Sequence, residues 1–210
     1  MVWFGNRVTS NVTTLEDWES ATPFNAWSGD TDDSWTAQTG TVLDGSNTAE
    51  LTTFAGTYSS IKKNTAGTSR GNTYRMDFQV SSTGPDILQY IGIQDTTLPD
   101  GDLPSDAYIV RINTSEPDID MWKRTGGSLS VLDGTVVLGE MNAGETYTLE
   151  MDWSTTPSLQ ARVLDSDGTT HGETTDVSDS DHAGGVYGIG GVTSDGVARY
   201  YDKHEEEPLP

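Results

Sequence analysis

Three carboxylates alternate along Glu116-Pro-Asp-Ile-Asp120, a near approach to a catalytic pair. Alternate residues of an extended strand point to one face. Their separation is close to the ~5–5.5 Å that a nucleophile and an acid need in retaining glycoside hydrolysis. Two details argue against such a pair. Pro117 sits inside the run and marks a turn, because it cannot donate to a strand ladder. The distal acid is an aspartate, one methylene shorter than glutamate. In a chain with 33 acidic residues a solvated acidic hairpin accounts for the run, and no enzyme is expected. Nucleophilic hydrolysis fares no better, since the chain has no cysteine and no Gly-x-Ser-x-Gly elbow. His171, His182 and His204 lack the ligand spacing of a zinc site and are expected at the surface. No helix follows a glycine-rich loop, so no phosphate cradle is expected.

Recognition is the better prospect. Trp122 is out of phase with Ile119 and Met121, which puts it on the opposite strand face beside Asp120 and Arg124. Arg75, Asp77, Gln79, Arg111 and Arg162 likewise fall on the polar faces of their strands. Flat indole and planar guanidinium groups suit flat or planar partners. The candidate ligand-binding set is therefore Trp122, Arg124, Arg111, Arg75, Asp77, Gln79 and Arg162, drawn into one patch; the alternative is ordinary salt bridging to Asp77, Glu150 and Asp152. A loop from Asp95 to Asp106, with Pro99, Gly101 and Pro104, is a second place to look, because function favours long loops on rigid scaffolds. Asp30, Asp32 and Asp33 form an acidic cluster of the oxygen type that hard cations prefer, without the spacing of an EF-hand.

The elements that must position these groups are strands. Thr73 to Val80 alternates cleanly, with Tyr74, Met76, Phe78 and Val80 on one side. Glu145 to Trp153 does the same through Tyr147, Leu149, Met151 and Trp153, and Ser158 to Leu164 through Leu159, Ala161 and Val163. Gly184 to Val192 is apolar yet glycine-rich, so its backbone must bend or admit a close neighbour. Val197 to Asp202 is the last strand, and Ala107–Asn113 with Asp118–Arg124 makes a hairpin. Strands recur at the ~8–12-residue spacing of a sandwich, and no helix of several turns can be found. The fold class is all-β, an antiparallel two-sheet jelly-roll sandwich.

Composition sets the habitat. Eleven basic residues against 33 acidic ones give a net charge of −22, which repels nucleic-acid phosphate. Strand patterning with six Trp and eight Tyr argues for a folded chain despite that charge. An acidic surface of this kind fits concentrated salt, where screening shortens the Debye length to ~3 Å or less. No run of 18 apolar residues suggests membrane insertion, and Met1 to Arg7 lacks the pattern of a signal peptide.

The order Gly-Glu-Thr-Tyr-Thr-Leu-Glu-Met, Ser-Leu-Gln-Ala-Arg-Val-Leu-Asp-Ser-Asp-Gly, Gly-Gly-Val-Tyr-Gly-Ile-Gly-Gly, Ala-Arg-Tyr-Tyr-Asp resembles the end of a concanavalin A-like domain of the laminin-G or legume-lectin type. The resemblance reaches back to about Asp17, and departs from the usual pattern where Asp202 is followed by Lys203. It implies a jelly roll with a face suited to glycan, and a structural Ca²⁺ where the terminal strands meet, held by Asp202 with Glu16 or Asp17. It also brings to mind laminarinase-type glycosidases, whose acidic motif Glu116–Asp120 only approaches. The expected organisation is a strand or docking segment over residues 1–12 (Trp3, Phe4 and Arg7), a sandwich over 13–203 and a flexible acidic tail over 204–210. The expected role is a non-enzymatic virion surface protein of a halophilic archaeal virus, such as a tail fibre, turret or spike module. It would be made in the host cytoplasm and attach to a host glycan or glycoprotein. Its partners would be other virion subunits or further copies in a homo-oligomer. The alternatives are a carbohydrate-binding module or glycosidase domain of a secreted halophile protein, and a purely structural decoration.

Overall fold

Alternation of large apolar and polar residues builds two stacked antiparallel sheets. The computed structural model describes residues 11–30, 35–52, 57–84, 86–192 and 197–210. In chain order the strands are β1 (Thr13–Glu16), β2 (Trp27–Gly29), β3 (Trp35–Gln38), β4 (Thr48–Leu51), β5 (Tyr58–Ser69), β6 (Asn72–Val80), β7 (Asp86–Ile93) and β8 (Ala107–Asn113). They continue with β9 (Asp118–Thr125), β10 (Ser128–Val137), β11 (Tyr147–Trp153), β12 (Ser158–Asp165), β13 (Thr170–Glu173), β14 (Val177–Ser178), β15 (Gly184–Val192) and β16 (Arg199–Pro208). Among the described residues the only helical element is a 3-10 turn at Pro23–Ala26. No helix there is long and apolar enough to cross a membrane.

Sheet A runs β13-β12-β11-β6-β16-β4-β3, with β1 on β16 and β14 on β12; sheet B runs β10-β9-β8-β7-β15-β5-β2. The main core lies between them. Tyr74, Met76, Phe78, Leu149, Met151, Trp153, Leu159 and Val163 from sheet A meet Ile61, Ile87, Ile91, Val110, Ile119, Met121 and Ile189 from sheet B, all fully buried. Each such side chain is worth about 1.5–3 kcal/mol of transfer free energy. The registers Tyr147↔Phe78 and Met151↔Tyr74 keep every large residue of β11 and β6 on this side.

Sheet B has a second apolar layer on its other face. Leu88, Tyr90, Ile93, Ala107 and Ile109 cluster there with Leu98 and Leu103, which come from the loop joining β7 to β8. That loop is pinned across the sheet. The Lys62 ammonium donates to the Asp95 and Thr96 carbonyls (2.5 and 3.0 Å), and Asp106 accepts from the Gly126 N–H (2.8 Å). The glycines of β15 find their reason here: a Cβ on Gly190 would stand 2.5 Å from the Tyr90 hydroxyl and 2.5 Å from the Ser59 carbonyl.

The C-terminus departs from expectation. Residues 204–208 are no flexible tail; they complete β16, paired with β6 and β1. His204 and His182 are buried, at 0% and 4% exposure, where surface positions were expected. The reason is aromatic packing: Trp18, Trp27 and Tyr187 surround the His204 ring, and its Nδ1 bonds the Tyr187 hydroxyl at 2.8 Å. Burial presses the imidazole down to about 3. Trp3, Phe4 and Arg7 lie outside the described residues.

Candidate functional site

The seven candidate ligand residues do not form one patch. Arg111, Trp122 and Arg124 stand on sheet B, whereas Arg75, Asp77, Gln79 and Arg162 stand on sheet A. The single recognition surface expected of them is therefore two surfaces, on separate sheets.

On sheet B, cross-strand pairing brings Arg111 opposite Asp120 and Ile109 opposite Trp122. The Arg111 guanidinium lies over the Trp122 ring, 4.9 Å from its centroid. Three carboxylates gather on that guanidinium: Asp120 in direct hydrogen bond, Asp86 at 3.5 Å and Asp118 at 3.6 Å. Burial raises Asp86 to about 6 and also raises Asp118, against the pull of Arg111. Arg124 grips Asp102 of the β7–β8 loop through two parallel bonds (3.0 and 2.9 Å) and the Leu103 carbonyl (2.6 Å). Trp122 is partly buried against the second apolar cluster. Its neighbours on β10 are Val131, in register with it, and Leu129, in register with Arg124. Those two are 61% and 48% exposed. Indole, guanidinium, carboxylate acceptors and bare aliphatic groups thus share one rim. Asp86, Asp102 and Asp118 were missed as contributors; the signal for Asp118 and Asp120 was their alternation on the strand hairpinned to Arg111.

On sheet A the arginines are occupied by ion pairs. Glu150, at 5% exposure, accepts from both Arg75 and Arg162. Arg75 also reaches Glu207, and Arg162 reaches Asp152 at 3.1 Å. Gln79 donates to the Gly144 carbonyl at 2.6 Å. The ordinary salt-bridging reading holds for this half of the set. Beside the lattice two clefts open, of about 410 Å³ and about 580 Å³, and both are bordered by Thr146 and Ser166. Asp77 lies in the first, accepting from the Thr148 hydroxyl.

The carboxylates expected to hold calcium do not converge. Glu16 accepts from the Asp17 and Trp18 N–H groups (3.1 and 2.9 Å), from the Trp27 indole (3.0 Å) and from the Lys63 ammonium. Asp202 accepts from the Asp44 N–H, the Thr48 hydroxyl and the Lys203 N–H at 3.0, 2.9 and 2.8 Å. Asp17 caps the Glu19 N–H at 3.2 Å. A protein cation and N–H donors already stand where Ca²⁺ would need free oxygens, so this set does not fit the ion. No group of three or more acidic or histidine side chains among the described residues is arranged to hold a metal. Asp30 accepts from the Ser60 N–H at 3.0 Å, while Asp32 and Asp33 lie outside the described residues.

Glu116 and its neighbours divide as well. Glu116 is exposed in the β8–β9 turn, and Asp118 and Asp120 face Arg111.

No family model matches the sequence, and no curated protein matches it at a significant level. Solved structures do match. The exoplasmic/lumenal domain of VIP36, in its Ca²⁺/Man3GlcNAc-bound form, superposes with a TM-score of 0.66 at 15% identity, over 94% of this chain and 88% of that one. The carbohydrate-binding module CBM66 from Bacillus subtilis gives 0.61 at 14%, over 87% and 95%. This fold is a concanavalin A-like jelly roll. An endo-β-1,4-glucuronan lyase from the fungus Trichoderma reesei has it too, at 0.59 and 16%, over 97% and 96%. Identities this low establish the jelly roll alone, because one fold hosts many activities.

Proposed function

We propose that this jelly roll is a non-enzymatic carbohydrate-recognition domain that binds glycan on the outer face of sheet B, where the β7–β8 loop meets β8, β9 and β10. The observation that carries the reading is the Arg111–Trp122 stack, 4.9 Å apart, with Asp86, Asp118 and Asp120 gathered on the guanidinium and Val131 beside the indole. Apolar sugar faces pack on indole and aliphatic groups, while hydroxyls bond to carboxylates and guanidinium. The similarity to a glycan-bound form of VIP36 and to CBM66 supports the class of ligand. The non-enzymatic reading is supported by Asp118 and Asp120, which face Arg111 rather than one another as a nucleophile and an acid would.

The finer reading is attachment to a host glycan or glycoprotein from the surface of a particle working in concentrated salt, a halophilic archaeal virion. Its support is the net charge of −22, which strong screening makes tolerable, together with a fold used for recognition. Neighbouring virion subunits or further copies of the chain would then be its protein partners. Calcium is not assigned to Asp202, Glu16 and Asp17.

The test is a glycan panel probed with the intact chain and with Trp122→Ala. The reading expects binding to a defined subset of glycans and at least about tenfold weaker binding by the variant, the loss of a stacking contact and its surroundings. Equal binding by both proteins, or no binding to any glycan, would remove it. Hydrolysis of a bound glycan, lost in Asp120→Asn, would convert the reading to an enzyme.

A further inference from the structure

The two sheets end in strands of very different length. Sheet A ends in β13 and β3, and sheet B in β2 and β10. β2, β3 and β13 have three or four residues, whereas β10 has ten. A short outer strand offers few backbone groups to another chain, and a long one offers a row of them. β10 is also where apolar side chains meet water. Among the described residues five large apolar side chains are exposed, and three of them, Leu129, Val131 and Val137, are on this strand. Its start, Ser128-Leu-Ser-Val-Leu132, carries no charge in a chain of net charge −22. Behind it on β9 stand two basic residues, Lys123 and Arg124.

The hairpin geometry fixes which backbone groups of β10 are open. Gly126 and Gly127 have φ of 54° and 79°, the two-residue type I′ turn that joins β9 to β10. The flanking pair Thr125↔Ser128 is hydrogen-bonded in such a turn, and bonded and non-bonded pairs alternate from there. Leu129↔Arg124 and Val131↔Trp122 are therefore non-bonded pairs. Leu129 and Val131 turn their N–H and C=O away from β9, towards the open edge. Past Val131 the register becomes irregular, and the Asp133 carboxylate takes the Thr175 N–H and hydroxyl at 2.7 and 2.9 Å. The regular, open part of the edge is confined to residues 128–131. Two outward residues flanking Ser130 make that stretch self-complementary. With a two-fold axis at Ser130, Leu129 faces Val131 of a second copy and exchanges both backbone bonds with it. Their side chains then pack together on the outer face of sheet B. We propose that β10 is a self-association edge, where a second copy of this chain pairs antiparallel through Leu129 and Val131 and joins the two B sheets into one. The uncharged start of the strand lets two strongly acidic chains approach, and salt favours the approach by screening the rest. The contact lies in the plane of the sheet, leaves the Trp122 face open and does not rest on the glycan reading.

Sedimentation equilibrium of the intact chain tests it, run at low salt and at about 1 M KCl, where the Debye length is ~3 Å. A monomer–dimer equilibrium is expected, with tighter association at the higher salt. Val131→Pro removes an outward N–H while leaving the bonds to β9 in place. It weakens the dimer at least about tenfold, and its melting temperature certifies folding. The chain has no cysteine, so single introduced thiols report the register. Ser130→Cys, on the axis, falls in a non-bonded pair whose Cα separation of about 4.5 Å admits a disulfide, and oxidation yields a covalent dimer. Ser128→Cys lies about 13 Å from its counterpart along the paired strands and yields none under the same conditions. The two cysteine variants decide the matter even where Val131→Pro unfolds. A monomer at every concentration would leave the edge to some other occupant and overturns the proposal. A dimer that weakens with added salt, an undiminished dimer in folded Val131→Pro, or equal cross-linking of the two cysteine variants does the same.

Discussion

The outer faces of the two sheets solve the same problem in opposite ways. Sheet A turns Arg75, Glu150, Arg162 and Asp152 outward and links them by ion pairs, so water can cover the face directly. Sheet B turns Leu88, Tyr90 and Ile109 outward and needs the β7–β8 loop, with Leu98 and Leu103, to cover them. One face is finished by charge, the other by a second core. The cover stops short at β9 and β10, where Trp122 is only partly buried and Val131 stands in water. A partly covered apolar face rimmed by charged groups is what a recognition surface needs; a closed ion-pair lattice offers little beyond the clefts beside it.

Breaking the cover should give the largest effect. Leu88→Ala removes a fully buried side chain from the second cluster and is expected to lower stability by about 2–5 kcal/mol in urea unfolding. A loss below about 0.5 kcal/mol would mean that the loop does not pack as a core. Glu150→Gln leaves Arg75 and Arg162 without their shared carboxylate, both still more than two-thirds buried. About 1.5–3 kcal/mol should go, the value of hydrogen bonds to a charged group. Added salt should shrink that difference if the lattice is electrostatic.

The core responds to pH through His204. Its imidazole, ordinarily near 6.5, is held down to about 3 by burial. Between those values the unfolded chain binds a proton that the folded chain refuses, so stability falls as pH drops through that window. Asp86 and Asp202, both raised by burial to about 6, act the other way: the folded chain holds their protons more tightly, so stability rises as pH falls from about 6 towards 4. Denaturant midpoints in His204→Gln should therefore improve on acidification relative to wild type. A wild-type and variant pair with parallel pH profiles would contradict the buried neutral imidazole. The smallest stability effect is expected at Val131→Ser, within about ±0.5 kcal/mol because the side chain is already 61% exposed, with glycan affinity reduced.

Sheet A was easier to read in the sequence than sheet B for the same physical reason. Tyr74, Met76, Phe78 and Val80 alternate with Arg75, Asp77 and Gln79 because one side of β6 faces water. Ile87 to Ile93 shows no such alternation, since β7 is buried on both sides; the run names a strand but hides which residues meet the loop. Trp122 was placed on the correct face by its phase against Met121. Nothing local could say that Arg75 and Arg111 end on different sheets, because that depends on which strands pair across the whole chain. The tail failed for a related reason: His204-Glu-Glu-Glu looks solvent-bound until β6 and β1 are known to flank it.

Glycan recognition at the sheet B rim is tested most directly by amide chemical-shift mapping with a glycan found on the panel. Perturbations concentrated at Arg111, Asp120, Trp122, Arg124, Leu129 and Val131 and along the β7–β8 loop are the predicted result. Perturbations that leave these residues untouched, at a glycan concentration that saturates binding, would contradict it.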